Sequence, residues 1–184
     1  MEACLVKRVV TDGDPLSFTL LVKMHQSAIR NFLRRLTAGD IELADDLSQN
    51  TFMKAYRNIG SYSGKGKFVS WLLQIAYREF VDELRRNTKH QNQVPLDEEL
   101  VNEESDCDWN RQANAMSLNK AMLNLAPIEQ AILSLNYAEG LTHEEISQLM
   151  ELPVGTVKTK IARAKLKLKS MLTDKVELSQ EIKL

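Results

Sequence analysis

Residues 142–172 read THEEISQLMELPVGTVKTKIARAKLKLKSML, and the fold turns on how this stretch is divided. Between Leu152 and Thr173 it holds six cations, Lys158, Lys160, Arg163, Lys165, Lys167 and Lys169, and no acid. Thr142 followed three residues later by Glu145 has capping-box spacing and predicts the start of a short helix. Leu152 precedes Pro153 and is disfavoured as helix, so the pattern breaks there. A second helix is predicted from about Val154 to Leu172. A short helix, a tight turn and a second helix make a helix-turn-helix. At ~100° per residue, Ile161, Ala164 and Leu168 fall within roughly 40° of Val157, a buried stripe that would pack on Ile146 and Leu149. Thr159, Ala162 and Arg163 lie opposite, with Gly155 and Thr156 a turn earlier. Lys158, Lys160, Lys165 and Lys167 flank them. Leu166 projects outward, as a partner contact or as an ordinary surface leucine.

A helix built this way suits duplex DNA. Its exposed centre offers a hydroxyl and a guanidinium to base edges, and its flanks offer ammonium groups to phosphates. Arg163 can grip a guanine with two hydrogen bonds, whereas a lysine acts as a point charge. The competing reading is a solvated basic helix, or one that lies on a membrane or in a calmodulin-like groove. The capped preceding helix and the LPVG turn favour DNA.

The rest of the chain places this stretch in an all-helical frame. Of 184 residues, 43% are hydrophobic, and only seven are glycine and four proline, so a packed helical core is expected. Cys4 and Cys107 are read as free thiols in a reducing compartment. No apolar run approaches the ~20 residues of a membrane span, and no secretion signal is expected. The net charge of −1 hides an uneven distribution, because 94–110 carries seven acids and no Lys or Arg. That stretch reads as a flexible linker.

Asp14-Pro15 predicts a helix start, with Phe18, Leu21, Val22, Ile29, Leu33 and Leu36 on its buried face as far as Gly39. Asp40 caps a second helix through Leu43, Leu47, Phe52, Ala55, Tyr56 and Ile59, ending at Gly60. GSYSGKGK (60–67) reads as a loop. A third helix carries Phe68, Trp71, Leu72, Ile75, Ala76, Phe80 and Leu84 and ends near Thr88. RQANAMSLNKAMLNL after the linker predicts a fourth, and Pro127 opens a fifth that stops by Gly140. The expected organisation is two small helical domains, 1–92 and 111–174, joined by an acidic linker at 93–110 and followed by a tail at 175–184.

LPVGTVKTKIARAKLKL resembles the recognition helix of bacterial RNA polymerase sigma factors of the extracytoplasmic-function (ECF) group. Pro153, Gly155, Thr156, Val157 and Lys158 carry the match, with Arg163-Ala164 behind them. DDLSQNTFMKAYRNIGSY is similar to that family's polymerase-binding helix, and KFVSWLLQIAYREFVDELRR to its helix for promoter melting and −10 reading. The blocks stand in family order and span most of 13–172. Arg78, where asparagine is frequent, and Asn50, where an acid is usual, depart from the pattern.

The resemblance implies an alternative, stress-response-type sigma factor in the bacterial cytoplasm, not an enzyme and needing no cofactor or metal. It would bind core polymerase, find the −35 and −10 elements and promote melting. Asp45, Asp46, Leu47, Gln49, Thr51 and Phe52 match the helix that docks on the coiled coil of the largest polymerase subunit. Asp45 and Asp46 read equally as an ordinary solvated face. Ser61, Tyr62, Ser63, Lys65 and Lys67 match the segment that captures a flipped-out base of the non-template strand; small residues allow close backbone approach. Tyr62 would stack on a base or anchor the loop. Trp71 suits the −10 strand or plain packing, and Arg85 and Arg86 suit phosphates or a helix C-terminus. Gly155, Thr156, Lys158, Thr159, Lys160, Arg163 and Lys167 would serve the −35 duplex. Implied partners are core polymerase, through the coiled coil and the flap of the second-largest subunit, promoter DNA as duplex and single strand, and an anti-sigma factor, often membrane-bound. Direct membrane insertion is not expected. In the family the linker lies near the RNA path.

Other classes fit less well. A stand-alone helix-turn-helix regulator commonly carries a receiver or ligand-binding domain, and the N-terminal half shows neither strand runs nor a strand-end phosphoacceptor aspartate. GSYSGKG spaces Gly60 and Gly64 by three residues where a phosphate loop needs four, and Lys65 is followed by Gly66. Ser147 stands where a zinc protease needs its second histidine.

Overall fold

The computed structural model describes residues 1–64, 66–91, 118 and 121–181. Among them lie seven α-helices: α1 (Glu2–Asp12), α2 (Pro15–Leu36), α3 (Ile41–Asn58), α4 (Phe68–Gln91), α5 (Pro127–Leu133), α6 (His143–Met150) and α7 (Val154–Glu181). The acidic linker with Cys107, most of the expected fourth helix and the tail end at 182–184 lie outside the described residues. Of that fourth helix, Leu118 and residues 121–123 are helical.

The first domain is a bundle of α1–α4. Asp14 caps α2 by accepting from Leu16 N at 3.0 Å, and Ser17 Oγ donates to its other oxygen at 2.7 Å. Asp40 caps α3, accepting from Leu43 N at 2.9 Å. Asp45 meets Arg30 and Arg34 beside the short α2–α3 connection, while Tyr56, expected on the apolar face but exposed, packs at a tilt against Phe18 at 4.8 Å at the far end. The two helices therefore run antiparallel. Leu21, Ile29, Phe32 and Leu33 from α2, Ala44 and Ala55 from α3, and Leu72, Leu73 and Ala76 from α4 are fully enclosed. Glu79, buried on α4, is paired with Lys54 of α3 and ties the two together.

Helix α1 was not expected from the sequence. It buries Leu5, Val6 and Val9 against α2 and the turn after α3. It ends at Gly13, whose φ of 62° is the left-handed conformation a helix stop needs, with Gly13 N donating to Val9 O at 3.1 Å. Two further helices outrun their expected ends, α4 to Gln91 and α7 to Glu181.

The second domain is built from residues 121–125 and α5–α7. Ile132, Leu135, Leu141, Ile146, Val157 and Ala164 form its centre. The helix opened by Pro127 gives way to a π-helical turn at Ser134–Ala138 and stops before Gly140 (φ 67°). The domains touch through α4 against α6 and α2 against α5 and the π turn.

Candidate nucleic-acid interface

The helix-turn-helix is α6, a turn at 151–153, and α7. Glu145 N donates to Thr142 Oγ1 at 3.1 Å and Thr142 N to Glu145 Oε2 at 2.8 Å, closing the capping box. Those backbone and side-chain bonds with Thr142 hold the Glu145 carboxyl below its ordinary pKa, burial opposes them, and Lys67 adds to the lowering. Helix α6 ends at Glu151, a non-glycine residue in the left-handed region (φ 57°). Leu152 N donates to Ser147 O at 3.0 Å, and Pro153 O accepts from Thr156 N and Val157 N to start α7.

Rotation about α7 falls as its spacing requires. Val157, Ile161 and Ala164 are buried against Ile146 and Leu149, and Leu168 is partly buried behind them. Gly155, Lys158, Thr159 and Arg163 are exposed, and Thr156 and Lys160 are half-buried. Thr159 Oγ1 donates to Gly155 O at 2.9 Å, which leaves its lone pairs facing out. Among the described residues, Lys158 and Arg163 form no ion pair. Leu166 is 68% exposed.

Lys165 and Lys167 are held within the domain. Lys165 Nζ sits 4.8 Å over the Tyr137 ring. Lys167 Nζ donates to both oxygens of Glu129, at 3.0 and 2.8 Å, and braces α7 on α5. That bond is the main cause holding the buried Glu129 carboxyl below its ordinary pKa, with burial opposing it. Glu129 lies 38 residues away in the chain, so local spacing gives no sign of this contact.

The loop before α4 is fastened by an aromatic cluster. Tyr62 Oη donates to Gly66 O at 2.8 Å, and its ring packs edge-on to Phe68 at 5.2 Å and against Trp71 at 5.7 Å. Burial, then the Glu2 carboxylate, pushes the Tyr62 phenol above its usual pKa. Ser61 Oγ donates to Asn58 O at 2.8 Å. Gly64 and Gly66 take φ of 72° and 81°, which lets the chain bend back over the Tyr62 ring. Ser63 and Lys67 are exposed, and Lys65 lies outside the described residues. Trp71 is partly buried on the core yet also lines the cleft beside the loop, so packing and ligand contact are both open to it. Arg85 and Arg86 are exposed and pair within their own helix with Asp82 and Glu83.

On α3, Asp46 and Gln49 are exposed. Leu47, Thr51 and Phe52 are buried, with Thr51 Oγ1 donating to Leu47 O at 2.7 Å, so they shape the helix from inside. Asp45 is half-buried and engaged by Arg30 at 3.3 Å.

Two cavities lie between the domains. One, of about 410 Å³, has the loop and α4 on one wall and α6 on the other. The other, of about 700 Å³, is mainly apolar and is lined by Met122, Tyr137, Leu168 and Leu172 together with Arg34 and Arg35. Among the described residues, no group of three His, Cys, Asp or Glu side chains is arranged to hold a metal, and no helix is long and apolar enough to cross a membrane.

Fold and site together define a two-domain helical protein, with a helix-turn-helix in the second domain and a cleft between that motif and the loop and α4 of the first. The Sigma-70 region 2 family matches residues 21–90, and the Sigma-70, region 4 family matches 115–168. The ECF RNA polymerase sigma-E factor of Haemophilus influenzae is 30% identical over 96% of this chain and 95% of its own. The ECF RNA polymerase sigma factor SigW of Bacillus subtilis is 30% identical over 95% of this chain and 100% of its own. Among solved structures, the sigma factor RpoE of Bartonella quintana, crystallised with the anti-sigma factor NepR, superposes with a TM-score of 0.69. That likeness has 23% identity and covers 85% of this chain and 96% of the other. CnrH, in complex with the cytosolic domain of CnrY, gives 0.66 at 20% identity, over 94% and 97% of the two chains. The chain belongs to the ECF group of RNA polymerase sigma factors. It is thus an initiation factor rather than an enzyme, and it directs RNA polymerase to promoters.

Proposed function

We propose a division of this work among named residues. Helix α7 reads the −35 duplex, with Thr159 and Arg163 on base edges and Lys158, Lys160 and the α7 N-terminus at Gly155 and Thr156 on phosphates. The observation that carries this is the outward Arg163, unpaired among the described residues, at the centre of a helix whose opposite face buries Val157, Ile161 and Ala164. Lys167, bound to Glu129, enters as a brace that sets the angle of α7. The loop at 60–67 and the exposed side of α4, with Trp71, Arg85 and Arg86, take the −10 element as single strand. Unstacking costs a few kcal/mol per base step, offset by capture of a flipped base and by polymerase contacts. Asp46 and Gln49 meet the coiled coil of the largest polymerase subunit, with Leu47, Thr51 and Phe52 packing the helix beneath them, and the second domain takes the flap. The two small domains, 1–92 and 111–174, each keep one promoter element.

An anti-sigma factor completes the reading. The sigma factor RpoE of Bartonella quintana is crystallised with the anti-sigma factor NepR, and CnrH is bound to the cytosolic domain of CnrY. The apolar cavity between the domains, edged by Arg34 and Arg35, suits a partner that wedges apolar side chains there and holds both domains at once. A membrane-bound form of that partner would place the factor at the inner membrane until release.

In vitro transcription with core polymerase on a genomic fragment library tests the whole reading, and absence of promoter-specific initiation would defeat it. The narrower test is Arg163→Ala. Loss of a two-bond guanine contact is worth about 1–3 kcal/mol, so −35-dependent initiation should fall roughly 5- to 150-fold with core binding unchanged. Weakened core binding would mean that α7 has another role.

A further inference from the structure

The acids of the helix-turn-helix face the cations of the strand cleft. Glu151, at the end of α6, is ion-paired with Arg78 of α4. Gln74 Nε2 donates to Leu149 O at 3.3 Å one turn away. Glu145 lines the same cleft opposite Lys67, close enough for that lysine to bias its ionisation. Trp71 forms part of the wall between them, and Ser70 Oγ is buried there with no hydrogen-bond partner among the described residues. Thr159 and Arg163 are exposed on α7 and do not line this cleft.

We propose that α6 imitates a nucleic-acid backbone. In the closed chain, the Glu151 carboxylate occupies Arg78 and that of Glu145 stands across the cleft from Lys67, where phosphates of the melted strand would lie, and Arg78 becomes a strand contact when the domains part. Carboxylate and phosphate oxygens take the same guanidinium fork, so one arginine serves both. The device holds weakly by design. Arg78 and Glu151 are 58% and 70% exposed, and a pair so solvated shifts an equilibrium by about fivefold or less. Polymerase docking that separates the domains would therefore release it, and closure masks strand capture while leaving the duplex-reading side chains exposed.

This rests on the loop and α4 being the strand site, and the experiment separates the two. The full-length chain carries fluorophores at Leu16→Cys and Leu166→Cys, with Cys4 and Cys107 replaced by serine. Interdomain energy transfer and binding of a fluorescent single strand of about 12 nucleotides are read together. Glu151→Lys, on an exposed side chain, should lower the transfer and tighten strand binding about fivefold, and adding Arg78→Ala should abolish the gain. Glu144→Lys, an equal charge change on α6 outside the cleft, should do neither. No response to Glu151→Lys, or an equal response to Glu144→Lys, overturns the proposal. Lys67→Ala in holoenzyme tests the underlying site by itself: retained promoter opening removes that site whatever Glu151→Lys does.

Discussion

Two lysines of α7 carry the same charge and do different work. Lys158 is exposed and outside every ion pair among the described residues, whereas Lys167 is held by both oxygens of a buried carboxylate. A cation on a phosphate releases counterions when it binds; a cation already neutralised by the protein releases few. Lys158→Ala should therefore reduce the salt slope of holoenzyme binding to promoter DNA by about one unit, and weaken binding across sequences alike. Lys167→Met should leave the slope unchanged and lower the stability of the second domain by about 1–3 kcal/mol, because Glu129 loses its partner. Salt titration of promoter binding and urea melts of the free chain distinguish them. Equal slopes for both variants would mean that Lys167 leaves Glu129 for DNA in the complex.

At the scale of the helix, the brace between α5 and α7 has a pH signature. The Glu129 carboxyl lies below its ordinary value of 4.5 in the folded domain, chiefly through its bond to Lys167. A depressed folded-state pKa contributes stability that is complete above the unfolded value and is lost as pH falls through the folded one. The second domain should thus lose stability below about pH 4.5, and Glu129→Gln should flatten that part of its pH profile while costing stability at pH 7. A Glu129→Gln profile as steep as the parent's would assign the acid sensitivity elsewhere, to Glu145 for example. This pairing also marks where sequence legibility ends. The helix-turn-helix was legible because its signals are local: apolar spacing at 157, 161, 164 and 168, a capping box at 142 and 145, and a proline at 153. Glu129 and Lys167 meet only through the tertiary fold. Helix α1 escaped for a different reason. It has just three buried side chains, Leu5, Val6 and Val9, and no side-chain cap at Met1, so its helicity depends on docking against α2. In the site, the outward set on α7 and the inward Leu47 and Phe52 of α3 were legible from apolar spacing, but the burial of Thr51, a polar residue, was not. Family position marks a helix that binds polymerase without saying which of its faces is turned inward.

Across the whole molecule, two kinds of contact hold the domains together, and salt separates them. Arg35 pairs with Glu139 at 3.0 Å on the side of α2, and Arg78 with Glu151 on the side of α4. Between them lies the apolar cavity, whose walls are not screened by ions. The Debye length shrinks from about 10 Å at 0.1 M to about 3 Å at 1 M. If the ion pairs dominate, sodium chloride should open the free chain and raise its radius of gyration in small-angle scattering. The double charge reversal Arg35→Glu, Glu151→Lys should give that expansion already at low salt. Neither substitution touches a buried apolar side chain, so each domain should keep its own melting transition. A chain that stays compact in both conditions would place the cohesion in the apolar walls around Tyr137 and Leu168. An anti-sigma factor would then have to displace those contacts rather than add to them, and its affinity should fall when Leu168 is enlarged to Phe.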